Sequence, residues 1–255
     1  MSAAQPLRHA LLSELGVEHG FGVRGFAEPP GLLRPRQVHG IAVVDAREIA
    51  GCVPPPEADA VLSDAPGVRI GVVSADCVPI LLAELGGGLV AAVHAGWRGL
   101  ASGVVGACVA ALHARAQDST LRVHAEGAPT PANAASVRPL PCAPSSPRFA
   151  AVIGPHIGAC CYEVDAPVLE AFQGRFARGL PGALKPSRPG HAKLALGALA
   201  REALLGAGLA AERIALLEGV CTACDRERFY SYRRDGPGTG RLVHFIAAGP
   251  RGAEA

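Results

Sequence analysis

Asp76, Cys77 and His94 carry side chains able to do chemistry, and they lie where secondary structure can gather them. Residues 68–73, 78–83 and 89–93 are apolar runs separated by polar or glycine turns, and they read as strands. Asp76-Cys77 precedes the second run and His94 follows the third, so a strand-turn-strand connection brings thiol and imidazole to one sheet edge. With a third neutral nitrogen they would form a Cys/His/His site with an open fourth position, where Zn2+ can lower the pKa of a bound water to about 7. Without metal, Cys77 would be a nucleophile activated by His94. The plainer alternative makes Cys77 a small buried hydrophobe and His94 a hydrogen-bonded core histidine, and spacing leaves the readings balanced. His39 stands at the start of a strand read over residues 38–44, and spacing does not tie it to the pair.

Two other constellations carry charge. His94-Ala95-Gly96-Trp97-Arg98-Gly99 precedes a helix read over residues 100–115, so backbone N–H groups and Arg98 could converge on an anion such as phosphate. Equally, the segment could be a glycine-shaped turn with Arg98 in solvent. Ser231-Tyr232-Arg233-Arg234-Asp235-Gly236, followed by Thr239-Gly240-Arg241, reads as a Gly-rich hairpin in which Asp235 orients an arginine toward a carboxylate or phosphate. A solvated edge is the alternative, favoured more for Arg241 than for Arg234. Cys221 and Cys224 have ligand spacing but no second pair downstream, so they are read as idle or buried thiols. Cys52, Cys108, Cys142, Cys160 and Cys161 are read the same way. His113, His124 and His191 have no evident partner and are placed on the surface or in loops.

The elements that must position these groups follow from pattern. Helices are expected over 7–15, 167–176 and 193–207, and strands over 149–153, 214–217 and 242–247. Residues 117–148, rich in Ala, Pro, Ser and Thr without a period, read as a flexible insertion. No internal repeat is visible. The 255-residue chain is 49% hydrophobic and 18% charged, which excludes wholesale disorder. Its longest uncharged run, residues 99–114, is too short for a bilayer span. A net charge of +2 and the absence of a basic run longer than Arg233-Arg234 leave no footprint for nucleic acid or an anionic membrane, so the expected partner is small. The first twenty residues lack a secretory pattern, which makes a cytoplasmic location and reduced cysteines the expectation.

Taken together, Gln37-Val38-His39-Gly40, Ala75-Asp76-Cys77-Val78-Pro79-Ile80-Leu81-Leu82, His94 to Gly99, the segment Ile153-Gly154-Pro155-His156 through Cys160-Cys161-Tyr162-Glu163-Val164, and Ser231 to Gly236 occur in the order seen in one family. The chain resembles the laccase-domain, multicopper polyphenol oxidase-like (YfiH-type) family, whose members are described as purine nucleoside phosphorylases. The resemblance implies a single α+β domain of mixed β-sheets layered with helices, related to cysteine-hydrolase-like toxin folds. It implies one catalytic zinc, or copper, bound by His39, Cys77 and His94. It also implies phosphorolysis of adenosine, inosine, guanosine and S-methyl-5'-thioadenosine, with adenosine deamination alongside. On that reading Arg24, Gln37, Arg98 and Arg234 bind substrate, Asp76 carries a proton, and the partners are a purine nucleoside and phosphate, with no nucleic acid or membrane and a monomeric chain. The alternatives are a copper-dependent polyphenol oxidase, a metal-free Cys77/His94 amide hydrolase acting on a cell-wall precursor, and a non-catalytic binding protein. A single mixed site is too little for oxidase chemistry that uses several coppers. The chain departs from the family pattern at Gly25-Phe26, at His156 and at Ala195.

Overall fold

The three apolar runs of the middle do become strands, but they divide between two sheets. The computed structural model describes residues 4–126 and 149–250. Its strands are β1 (Glu18–Phe21), β2 (Val43–Asp45), β3 (Ala60–Ser63), β4 (Arg69–Ser74), β5 (Val78–Glu84), β6 (Val90–Ala95), β7 (Phe149–Ile153), β8 (Glu163–Asp165), β9 (Leu184–Pro186), β10 (His191–Leu194), β11 (Ile214–Leu216) and β12 (Leu242–Ala247). A six-stranded mixed sheet runs in the order β11-β7-β5-β6-β3-β2, and two three-stranded sheets run β1-β12-β4 and β8-β10-β9. The architecture is α+β, as expected.

Side chains alternate across the six-stranded sheet, and both faces are covered, which is why β5 and β6 read as unbroken apolar runs. Ile80, Leu82, Ala91 and Val93 pack with Leu100, Val105, Leu112 and Leu199 from the helical layer. Leu81, Ala83, Val90 and Ala92 pack with Ile70, Val72 and Ile246 from the sheet containing β4 and β12. The result is three layers: helices, the large sheet, and a small sheet. No helix among the described residues is long and apolar enough to cross a membrane.

Several local expectations are corrected. The strand expected over residues 38–44 shrinks to Val43–Asp45, because the backbone N–H groups of Val38, His39 and Gly40 donate to the Asp59 carboxylate rather than to a ladder. The helix expected over 100–115 is two helices, Trp97–Ser102 and Val104–Glu126, divided at Gly103, whose φ of 105° ends the first. The second runs into the expected insertion, of which residues 127–148 lie outside the described residues. The helix expected from 193 begins at Leu196, since Lys193 pairs with Glu163 and Lys185 inside the β8-β10-β9 sheet. The expected hairpin at 231–236 is a short helix, Tyr232–Asp235, capped by the Ser231 side chain.

His244 on β12 is fully buried with its ring nitrogen Nε2 2.8 Å from the Ser74 hydroxyl, and its Nδ1 has no hydrogen-bond partner. Burial, reinforced by the charge of His94, pushes its pKa down to about 3. Between that value and the ordinary one the unfolded chain binds more protons than the folded chain, so stability falls as pH drops through this window. We predict that wild-type stability in urea declines between pH 6.5 and pH 5, the His244 contribution being at most about 1.4 kcal/mol per pH unit. His244→Gln should flatten that slope, and an unchanged slope would show that this ring does not set it.

Candidate functional site

Antiparallel pairing of β5 with β6 places Val78 opposite Ala95 and Pro79 opposite His94, so Cys77, one residue before β5, lies beside the end of β6. The loop carrying His39 closes over that edge. One donor atom each from His39, Cys77 and His94 fall within 4.8 Å of one another, with His39 Nε2 3.9 Å from Cys77 Sγ. The imidazoles meet edge to face at 4.8 Å between centroids. The structure therefore brings together the two residues that adjacency joined and the third that spacing did not.

The glycine before Trp97 is dictated by this crowding. A Cβ on Gly96 would lie 2.6 Å from the His39 ring and 3.2 Å from Cys77 Sγ. Two non-glycine residues take positive φ here, His39 at 61° and Asp76 at 95°. Such conformations cost about 1–3 kcal/mol each and persist only where surrounding bonds impose them.

The imposing group at His39 is Asp59, a residue that no sequence motif marks. Its carboxylate is fully buried at the start of β3. It accepts from the N–H groups of His39 at 2.9 Å, Gly40 at 2.6 Å and Val38 at 3.2 Å, and lies 2.8 Å from His94 Nδ1. Burial alone would raise its pKa, but the His94 ring and these backbone donors hold it below the ordinary carboxylate value. The bond to Nδ1 leaves His94 Nε2 to face the other donors, the arrangement by which a carboxylate orients a metal-binding histidine.

Cys77 and His94 shift each other's proton affinity. Burial pushes the Cys77 thiol up, yet contacts with His39 and His94 outweigh it and bring the pKa down to about 6. Burial lowers His94, but Asp59 and the Cys77 sulfur carry it up to about 9. A thiolate beside two imidazoles, one backed by a carboxylate, is a donor set suited to zinc or copper, and equally a nucleophile with a base.

These donors open onto a cavity of about 690 Å3 lined by Gln37, Asp76, Arg98, Tyr162 and Arg233, among others. The arginines differ from expectation. Arg98 is exposed, stacks on the Trp97 ring at 4.4 Å and has no carboxylate partner among the described residues. Arg233 lies over the Tyr162 ring and donates to the Glu163 carbonyl. Arg24 is instead spent on the carbonyls of Arg226 and Phe229 and stacks on Tyr230. Arg234 pairs with Asp235 and donates to the carbonyls of Thr222, Ala223 and Phe229. Neither Arg24 nor Arg234 lines the cavity. Gln37 lines it, but its amide is occupied by both backbone groups of Val73, so it ties its loop to β4. Asp76 accepts from the Thr222 hydroxyl and from the Arg233 N–H, each at 2.6 Å. Tyr162, buried, is pushed up to about 12 and keeps its proton.

Replacing Asp59 with Asn keeps its size but removes the charge that orients both histidines. We expect Asp59→Asn to weaken metal retention by about 10–100-fold in chelator competition. Undiminished retention would show that the ligands hold their positions without it.

Comparisons with known proteins place the chain in a family. The family model described as "Multi-copper polyphenol oxidoreductase laccase" matches residues 24–135 and 132–249. A purine nucleoside phosphorylase of Xylella fastidiosa is 38% identical over 205 residues, covering 78% of this chain and 66% of its own length. The match thus spans about two thirds of that relative. Adenosine deaminase RL5, from an unknown prokaryotic organism, is 32% identical over 217 residues, covering 82% of this chain and 72% of its own. The crystal structure of the Neisseria meningitidis protein NMB0706 superposes with a TM-score of 0.68 at 31% identity, covering 86% of this chain and 75% of that one.

Proposed function

We propose, because the chain belongs to the multi-copper polyphenol oxidoreductase laccase family, that it is a zinc-dependent purine nucleoside phosphorylase, with adenosine deamination as a second reaction of the same site. The observation that carries this reading is the meeting of one sulfur and two imidazoles, on His39, Cys77 and His94, beside a cavity large enough for a nucleoside and edged by arginines. The donor set fits a divalent ion, since Asp59 fixes the His94 ring and Cys77 already favours its thiolate. Lewis acidity is what such an ion supplies when bound.

Phosphorolysis breaks the bond between the sugar C1' and the base nitrogen, forms a bond from C1' to a phosphate oxygen, and requires a proton on the departing base. The chain's part is positioning and charge. Arg98, as the sequence leads one to expect, and Arg233, in place of Arg24 and Arg234, hold the phosphate dianion. Tyr162, protonated at any physiological pH, donates a hydrogen bond to the substrate. Asp76 positions the Arg233 backbone, and to carry a proton it must release Thr222 or Arg233. Adenosine, inosine, guanosine and S-methyl-5'-thioadenosine are the proposed substrates, in a cytoplasmic monomer that needs neither nucleic acid nor membrane. Copper oxidation is the weaker reading, because the other metal-ligand group among the described residues is four cysteines without an imidazole. An amide hydrolase using Cys77 and His94, with the kinship to cysteine hydrolases that this would entail, has the same contacts to draw on.

Adenosine supplied with and without phosphate separates the readings. Adenine released only with phosphate is the expected result, and inosine without adenine would make the enzyme a deaminase. His39→Ala and Cys77→Ala should lose catalytic metal and activity together, whereas full activity without metal would favour the hydrolase. Arg98→Ala should raise KM for phosphate by about tenfold or more with a smaller effect on kcat, as loss of a charged contact made before the chemical step.

A further inference from the structure

Four cysteines read from the sequence as idle converge in space. Cys160 and Cys161 lie in the loop between β7 and β8, and Cys221 and Cys224 in the loop after β11. Their four sulfur atoms all lie within 4.8 Å of one another. Cys224 Sγ is 3.4 Å from Cys160 Sγ and 3.3 Å from Cys161 Sγ, across 64 and 63 residues of chain. All four are free thiols, and these separations are well beyond the roughly 2.05 Å of a disulfide.

Burial of small apolar groups does not account for the gathering, since Cys160 and Cys224 are exposed and Cys161 and Cys221 only partly covered. What the separations match is four sulfurs around a single ion. A zinc–sulfur bond of about 2.3 Å at tetrahedral angles sets the sulfurs about 3.8 Å apart, within the observed range. A cluster of several irons, with sulfides between the thiolates, would hold them farther apart. The surrounding contacts also suit a thiolate site. The Gly158 N–H donates to Cys221 Sγ at 3.2 Å, and a turn in which the N–H groups of Cys161 and Tyr162 both reach the Gly158 carbonyl folds the vicinal cysteines back toward the pair. Lys193 brings its ammonium to the Cys160 carbonyl, next to a group that would carry net negative charge once four thiolates bind a divalent ion.

We propose that Cys160, Cys161, Cys221 and Cys224 form a second metal site, a closed four-sulfur zinc clasp distinct from His39, Cys77 and His94. Its four ligands leave no open position, so it is structural. Thr222, between the two late ligands, donates to Asp76, the neighbour of Cys77. Tyr162 follows the two early ligands and lines the cavity. The clasp thus joins the loop that gives Ile157 and Tyr162 to the pocket lining with the loop whose Thr222 holds Asp76.

The test is zinc content of the full chain, purified under reducing conditions without chelator, beside the double variant Cys160→Ser/Cys224→Ser and the variant His39→Ala. The expected contents are about two zinc per chain for the wild type and about one for each variant. Cobalt substitution supplies a second readout. His39→Ala should keep the intense thiolate-to-cobalt absorption of a four-sulfur site, and the serine variant should lose most of it. Equal zinc in the wild type and the serine variant, or a Cys160–Cys224 disulfide found by mass spectrometry in the wild type, would overturn the clasp. Failure of the catalytic-metal reading registers separately, as wild-type zinc content in His39→Ala.

Discussion

The buried carboxylate of Asp59 is the constraint from which the site follows. A carboxylate taken out of water is strongly disfavoured unless charge and hydrogen bonds replace its hydration. Here three consecutive backbone N–H groups and one imidazole do so. The same four bonds that make the charge tolerable bend the chain at residues 38–40 out of any strand and hold His39 at positive φ against the end of β6. They also select which nitrogen of His94 is left for a ligand. Since β3 pairs directly with β6, Asp59 and His94 are held by one sheet and the carboxylate cannot drift from the ring it orients.

How much of this was legible depended on range. β5 and β6 could be read because strands buried on both faces are uninterrupted apolar runs, and their antiparallel connection is short enough for neighbouring strands to pair. That alone joined Cys77 to His94. His39 was reached through resemblance, because the bond holding it crosses to a residue 20 positions away with no motif around it. The small β8-β10-β9 sheet was missed for a related reason. Its strands are three or four residues long, and their hydrogen-bonding partners, rather than their composition, make them strands.

The arginines show what composition cannot rank. Arg233 and Arg234 are adjacent and chemically identical, and only the short helix beginning at Tyr232 separates their fates. It turns Arg233 over Tyr162 at the cavity, and Arg234 inward to three carbonyls and Asp235. A hairpin would have alternated them by face, whereas a helical turn sets them about 100° apart. The cysteines follow the same logic at longer range. Cys221-Thr-Ala-Cys224 had no downstream pair, because its companions lie upstream and arrive through the parallel pairing of β7 with β11.

The contrast between the two donor groups explains why one chain would carry both. Catalysis needs an ion with an open position, and two of the three ligands, His39 and Cys77, sit at or beside backbone of positive φ outside the strands. The strain must be opposed from outside the ligands themselves. On the His39 side Asp59 does this with a buried charge tied into the large sheet. On the Cys77 side the neighbouring Asp76, also at positive φ, is held by the hydroxyl of Thr222, buried between Cys221 and Cys224, and by the backbone N–H of Arg233 in the short helix. The grip on Asp76 is only as firm as the segment that carries Thr222. Four sulfurs closing on one ion would immobilise the segment from Cys221 to Cys224, and with it Thr222, supplying at Asp76 the rigidity that Asp59 supplies at His39.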